Sequence, residues 1–513
     1  MQTQKDRCAL VLCVVVLAAT AACSDGGGDG VTPVDGGASR DANAPDAGPE
    51  VVRTRTPTGR LRAEGNEIVD EEGRPVALRG VNLGSWLFVE TWMDTLDYPA
   101  PGRLVVEADR IGGTLGAEVR AAVTAAGGPS AESRAEYYAR VRTLLSVGAD
   151  RTAFDGAAAA SLACADVADD SDVPLRVELA SRFGLDGRDR ILDAYADAWI
   201  TDDDLDAMSE RGINLVRIPT TWRGWVVDET SLDPLVLREA TVARVEALLD
   251  ACETRGIRAI VDLQESPGGH NTYSGPARLY EDPDSQTATI ALWRAIAARL
   301  RARDSVAAYS LLAEPFGAPD VETMMAMYGR LYDALRADGD DHLLVMHDGF
   351  KGVDQLPTPA ERGWSNVVYS SHYFEFGATS SVAVDFASRA GELQVDRLHR
   401  RGDVPFFVGS FSSISDEPWG YDAFDLLTER YARKGWSWSM WSWKRIDDPL
   451  ETELFGTRTA WGVLRDFRAP AQRVDLCHDD EATILAKLPA LRTVNLAPNA
   501  TLDEHFRAAI IAP

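Results

Sequence analysis

The residues that could do chemistry in this chain sit at the ends of short apolar runs. Val306–Gly317, VAAYSLLAEPFG, reads as a buried strand that ends in a carboxylate, Glu314. Pro315 follows and, lacking an N–H, stops the ladder. An acid at the tip of an apolar strand is comfortable when it faces a cavity. Apolar walls then favour the protonated form that a general acid needs. The competing reading is a surface glutamate that caps a strand end. Other runs end on polar or aromatic groups too: Glu90, Arg217, Gln264 with Glu265, Asp348, His372, Ser410, and Trp441 with Trp443.

The elements that must position these groups follow a rhythm. Eight apolar runs read as strands: Val76–Trp86, Gly212–Trp222, Gly256–Gln264, Val306–Glu314, His342–Phe350, Asn366–Phe374, Val404–Phe411 and Gly435–Lys444. Amphipathic helical stretches such as Asp202–Arg211, Leu235–Arg255, Ser285–Arg303 and Val321–Ala337 separate several of them. Strands alternating with helices predict parallel pairing with crossover helices. Eight such units predict an α/β chain folded as a closed (β/α)8 TIM barrel, with chemistry at the C-terminal strand ends. A β-hairpin is expected at 61–80, turning at Glu71-Glu72-Gly73, and could plug the barrel bottom. A long helical insertion is expected at about 93–200, after strand one, shaping the mouth. The tail from about Ala469 is expected to pack outside as a last helix and a closing segment. No Gly-rich phosphate fingerprint follows any strand, so a nucleotide cofactor is not expected, and the wide, irregular spacing of the cysteines does not resemble a metal site.

Tryptophans at such a mouth suit a sugar, whose C–H face stacks on a ring while its hydroxyls reach polar rim groups. Trp441 and Trp443 are spaced to share a face, so at least one is expected to line the barrel, with core packing as the alternative.

Composition bounds the reading. The chain has 513 residues, 45% hydrophobic, with a formal charge of −28. That charge argues against nucleic acid or an anionic membrane surface as partner. Lys5 and Arg7 precede an apolar run, Ala9–Ala19, too short to span a bilayer. Thr20-Ala21-Ala22-Cys23 follows and resembles a bacterial lipoprotein signal, which predicts residues 1–23 as a signal ending at a lipidated Cys23. The usual leucine three residues before the cysteine is Thr20, so ordinary secretion is the alternative. Residues 24–58, rich in Gly, Asp, Ala and Pro, predict a disordered tether. Residues 59–513 are then one barrel, held to a membrane by lipid alone. Cys252 is expected to be a buried thiol, and a Cys164–Cys477 bridge is possible. No feature signals an oligomer, and a monomer is expected.

LRGVNLGSWLFVETW, AWITDDDLDAMSERGINLVRIPTTW, VDLQESPGG, LLAEPFG, MHDGF, SHYF, FFVGSFS and MWSWK stand in an order and spacing that resemble glycoside hydrolase family 5, above all its exo-β-1,3-glucanase branch. The resemblance runs from about Leu61 to about Arg468. It implies a (β/α)8 barrel, a β-glucan or other poly- or oligosaccharide partner, no cofactor, and a retaining mechanism. There two glutamates sit about 5 Å apart, one acid/base and one nucleophile. By this resemblance Glu314 is the acid/base and Glu90 binds the terminal sugar. Arg217 orients the nucleophile, His372 follows strand six, and Trp443 or Trp441 is the platform under the sugar.

The departures cluster at the chemistry. Gln264 stands for the family's histidine, Ala313 for the asparagine that grips the 2-hydroxyl, and Phe374 for the tyrosine that supports the nucleophile. Ser410 stands where the nucleophilic glutamate belongs. A serine hydroxyl needs an adjacent general base, and the sequence makes none apparent. Arg217 is left without an anion at position 410. The expectation is a carbohydrate-binding pseudoenzyme. The alternative is an active hydrolase in which Glu265, Asp348 or Glu375 serves as an inverting base, about 6.5–9.5 Å from Glu314. A structural or adhesion role has no positive support.

Overall fold

In the computed structural model the described residues are 57–511, except 95, 130–131, 168–170, 414, 448, 456–460 and 469–472. The expected signal, Cys23 and all but the last two residues of the tether lie outside the described residues. Eight strands close into one barrel: β3 (Arg79–Asn82), β4 (Leu215–Thr221), β5 (Arg258–Glu265), β6 (Val306–Ser310), β7 (Leu343–His347), β8 (Val367–Tyr373), β9 (Phe406–Phe411) and β10 (Ser437–Met440). Neighbours pair in parallel and β10 closes onto β3. Helices such as Glu239–Thr254, Pro283–Leu300 and Val321–Ala337 return the chain between strands. The (β/α)8 expectation holds. Several strands are shorter than their apolar runs. The first is strand only over Arg79–Asn82: residues 76–78 belong to the plug below it, and residues 83–86 turn into the mouth.

The strands are buried on both faces, which is why they read as near-continuous apolar runs. Val216, Ile218, Val261 and Leu263 face the helices as part of the main core. Leu215, Ile260, Ala308, Val345, Val368 and Phe407 form a separate apolar layer within the barrel. Leu61, Ile68 and Leu78 join that layer from the N-terminal segment, so the hairpin does plug the barrel. Its strands are β1 (Arg62–Glu64) and β2 (Glu67–Val69), paired Arg62 with Val69 and Glu64 with Glu67. The turn is therefore Gly65-Asn66, not residues 71–73. Gly65, at φ 61°, supplies the left-handed backbone that this two-residue turn requires. Residues 70–74 form a second turn, held by Asp70, which accepts from the Arg74 side chain.

The insertion is helical at Ala100–Ile111, Leu115–Ala126, Arg134–Thr143, Arg151–Ala163 and Val173–Trp199, the last broken at Gly184. It has its own core, including Leu104, Val119, Tyr137 and Phe154. A Cys164–Cys477 disulfide ties it to the tail, so the bridge left open by the sequence is formed. Cys252 is buried and free, as expected. The tail adds β11 (Leu464–Phe467), antiparallel to β12 (Leu496–Pro498), and the helix Ala500–Ile511. That helix buries Leu502, Phe506 and Ile510 in the main core, and Arg79 donates to its Ala509 and Ile510 carbonyls. No helix among the described residues is long and apolar enough to cross a membrane.

Candidate active site

One step along each strand from the apolar layer, period-two alternation brings polar groups inward. Leu215 is followed by Arg217, Ile260 by Asp262, Ala308 by Ser310, Val345 by His347 and Val368 by Ser370. Arg217 is buried and donates to Asn82 Oδ1 at 2.8 Å and to Gln264 Oε1 at 3.4 Å. Its Nη2 lies 2.8 Å from Asp262 Oδ2. Position 410 offers Arg217 no anion, as expected, but Asp262, two residues before Gln264 and on the same strand face, neutralises it. Removing one partner of such a buried pair costs about 3–5 kcal/mol. Burial holds the Asp262 carboxyl above its ordinary range, and Arg217 opposes that.

Glu314 stands at the mouth beyond β6, 8% exposed. Its φ is 50°, left-handed backbone that a side chain rarely adopts. Ser85 and Phe350, beyond β3 and β7, share this conformation at the C-terminal mouth, as does Asn366 at the other end, just before β8. Tyr273 Oη donates to Glu314 Oε2 at 2.6 Å, and His372 Nδ1 lies 2.6 Å from Oε1. Both carboxylate oxygens are thus met by donors. The His372 ring packs edge to face against His347, centroids 4.4 Å apart. Burial first, and the Arg217 charge second, push His372 well below the usual histidine range, so it is neutral at neutral pH. His347 is pushed down the same way by burial and by His372.

Ala313, beside Glu314, is buried, and its carbonyl accepts from His270 Nε2 at 2.6 Å. His270 Nδ1 meets Ser266 Oγ at 3.0 Å. The loop after β5 is thereby fastened to the residue that precedes Glu314. Across the barrel, β8 and β9 shift register so that Ser371 pairs with Val408 but His372 with Ser410. The skipped residue, Gly409, allows the histidine to approach: a Cβ there would lie 2.7 Å from His372 Nε2. The Nδ1 edge of His372 thus meets Glu314 and its Nε2 edge meets β9. The sequence made no base apparent for Ser410, yet an imidazole stands at its pairing position.

Trp441 lines an aromatic cluster with Met93, Trp461, Trp92, Phe374 and Phe376. Trp92 and Trp461 meet edge to face at 5.3 Å, and Phe374 stacks on Phe376 at 5.4 Å. Glu90 accepts from Trp92 Nε1 at 3.3 Å, which attaches the rim acid to this cluster. Trp443 lies elsewhere. It is fully buried in the main core and donates to Asp204 Oδ1 at 2.7 Å; Lys444 Nζ lies 2.8 Å from the same oxygen. Core packing, the alternative reading, is correct for Trp443. Strand β10 ends at Met440, so its alternation does not carry through to residue 443.

Of the three acids weighed as substitute bases, Glu265 and Asp348 are held by other partners. Glu265 points the other way from Gln264, accepts from Thr221 Oγ1 at 2.7 Å and pairs with Arg223. Asp348 accepts from the Phe350 and Gly352 N–H groups and from Ser371 Oγ; burial raises its pKa to about 6. Glu375 borders a small cavity with Tyr373, Val384, Ser388 and Ser412, and burial raises its pKa.

Sequence reasoning missed Asn82, Asp262, His347, Tyr273, Trp92, Phe376 and Trp461. Alternation from Gln264 back to Asp262 was a usable signal. Trp461 and Tyr273 sit in irregular segments, where periodicity carries none.

The cellulase (glycosyl hydrolase family 5) profile matches residues 181–446, just over half of the chain. A β-xylosidase of Phanerodontia chrysosporium is 25% identical over 328 residues, 58% of this chain and 68% of that protein. Glucan 1,3-beta-glucosidase 2 of Saccharomyces cerevisiae is 27% identical over 208 residues, 36% of this chain and 37% of that protein. The chain thus spans little more than a third of that second relative's length. Among solved structures, Thermotoga maritima Cel5A in complex with cellobiose aligns at TM-score 0.43 and 16% identity, covering 60% of this chain and 90% of that one. From its matched profile, the chain belongs to glycosyl hydrolase family 5, the cellulase family.

Proposed function

We propose that the protein is an exported, monomeric β-glucan-recognising barrel that holds its sugar at the mouth without cleaving the glycosidic bond by the retaining route. The observation that carries this reading is a serine, Ser410, at the position where the resemblance puts the attacking carboxylate; it pairs in register with His372, whose Nδ1 lies 2.6 Å from Glu314 Oε1. Loss of that carboxylate is worth several kcal/mol of barrier. Two further observations support the reading. Asp262 already takes the Arg217 charge. Glu265 and Asp348 are each held by other partners. The recognition surface remains: Glu90 with Trp92 at the rim, and Trp441 with Trp461, Phe374 and Phe376 as an apolar platform.

Residues 1–23 and the tether fit a lipid anchor on Cys23. The names of the relatives, glucosidases acting on 1,3-β-glucan among them, favour a β-glucan or β-glucoside as the sugar. Calorimetry with laminari-oligosaccharides tests the reading. Heat of binding, with affinity weakened by at least about tenfold in Trp441→Ala, is the expected result. No heat with any β-glucan would overturn it.

A further inference from the structure

Three side chains able to bind a metal meet where the insertion joins the tail, on segments that the sugar-binding reading does not use. Cys164 and Cys477 have a sequence separation of 313, and His478 directly follows Cys477, so their spacing carries no metal signal. The fold brings them together: both sulfurs and a ring nitrogen of His478 lie within 4.8 Å of one another. Cys164 is buried, Cys477 half-buried and His478 exposed, so the group opens to solvent on one side. His478 Nε2 lies 2.7 Å from Glu107 Oε1, and Glu107 is itself buried. A carboxylate on one ring nitrogen is the partner that a metal-bound histidine ordinarily has.

Contacts other than the S–S bond hold these positions. Cys164 closes the helix Arg151–Ala163, and its carbonyl accepts from Arg134 Nη2 at 2.6 Å. The Asp475 carboxylate accepts from the Cys477 N–H at 3.1 Å, and the Asp475 carbonyl accepts from the His478 N–H at 3.1 Å. Arg103 and Arg110 each donate to that carboxylate at 2.7 Å. Asp479 accepts from the Asp475 N–H at 2.7 Å and from Lys487 Nζ at 2.6 Å. Opening the disulfide therefore leaves two thiols and an imidazole gathered at one place. We propose that Cys164, Cys477 and His478 bind one zinc ion once the disulfide is reduced, so that this junction exchanges a covalent cross-link for a metal one. Two thiolates and an imidazole are a zinc ligand set, with a fourth position left to water. The soft sulfurs disfavour calcium and magnesium.

The exchange needs one outside reactant, a dithiol reductant. Its first thiolate attacks one sulfur of the bridge and forms a mixed disulfide, and its second thiolate then displaces the chain. Two electrons pass to the bridge, the reductant closes into a cyclic disulfide, and Cys164 and Cys477 become thiols. Zinc binds both as thiolates, and their two protons go to solvent. The sulfurs part to about 3.8 Å, the ligand separation of a tetrahedron with bonds of about 2.3 Å. Zinc binds the reduced chain alone, because the oxidised sulfurs have no thiolate to offer, and so it stabilises that form. Glu107 acts through His478 as a positioning residue and does not itself touch the ion.

The test titrates the full chain with cobalt(II) and then zinc(II), before and after reduction by a phosphine, which brings no competing thiol. The reduced protein is expected to show thiolate-to-cobalt charge-transfer bands and tetrahedral cobalt bands that saturate at one ion per chain. Zinc is expected to bleach them, and to raise the melting temperature of the reduced protein more than that of the oxidised one. The bands are expected to vanish in the Cys164→Ser, Cys477→Ser double variant, which keeps the other four cysteines. The reduced parent already lacks the bridge, so the two are compared in the same cross-link state. Glu107→Gln is expected to keep the bands and weaken cobalt binding about 10–100-fold, as loss of a histidine's carboxylate partner does. Absence of thiolate–cobalt bands in the reduced parent overturns the inference. So do bands of equal strength in the oxidised protein or in the double variant.

Discussion

His372 Nδ1, on β8, lies 2.6 Å from Glu314 Oε1, in the loop beyond β6 and 58 residues away in sequence. This contact decides the protonation of both edges of the ring. A neutral imidazole that gives its Nδ1 proton to a carboxylate keeps Nε2 bare. The chain has seven histidines, so nitrogen NMR can resolve them singly. At pH 7 His372 is expected as the neutral, Nδ1-protonated tautomer, and Glu314→Ala is expected to release it towards the other tautomer. A doubly protonated His372 at pH 7 would contradict the assignment.

Trp441 and Trp443 are two residues apart and have different surroundings. Trp441→Ala removes a ring from the mouth cluster and is expected to weaken oligosaccharide binding by at least about tenfold, the worth of one aromatic–sugar contact of about 1.5 kcal/mol. Trp443→Phe removes the donor to Asp204 in the core. It is expected to lower stability by about 1–3 kcal/mol and leave binding intact. Calorimetry paired with denaturant unfolding separates the two; equal effects on binding would undo the distinction.

Burial lowers the His270 pKa to about 4. An unfolded histidine titrates near about 6.5. Between these values the unfolded chain binds more protons at this group, so stability rises with pH there. The contribution is fully present above about 6.5 and is lost as pH falls towards 4. It is worth about 3 kcal/mol from 2.5 units at about 1.4 kcal/mol each. His270→Gln should therefore destabilise most at pH 7.5 and least near pH 4. Unfolding in urea at both values tests this, and a gap that widens on acidification would contradict it.

The Cys164–Cys477 bridge closes a loop of sequence separation 313 between the insertion and the tail. Replacing both cysteines with alanine is expected to cost about 2–5 kcal/mol. A reducing agent should lower the melting temperature of the parent protein and leave the double variant unchanged. An unaltered melting temperature on reduction would show that the bridge does not bear on stability.

The barrel was legible because its strands are buried on both faces and read as apolar runs of the right length. Glu314, Glu90, Arg217 and His372 were legible because they close those runs. Other features depend on geometry that periodicity does not encode. Ser410 pairs with His372 through a register shift at Gly409. Trp443 leaves the mouth because β10 ends before it. The hairpin turns at Gly65-Asn66, although Glu71-Glu72-Gly73 has the stronger turn composition. Asp262 was hidden inside an apolar strand, where a carboxylate is unexpected until Arg217 is seen beside it.

The central claim is that this mouth binds a β-glucan and leaves its glycosidic bonds intact. The most direct measurement incubates the purified protein with laminari-oligosaccharides at concentrations where binding heat is seen, then analyses the sugars by chromatography. The account predicts that the oligosaccharides are recovered at full length. Release of glucose or shorter oligosaccharides by the parent protein, abolished in Glu314→Ala, would contradict it.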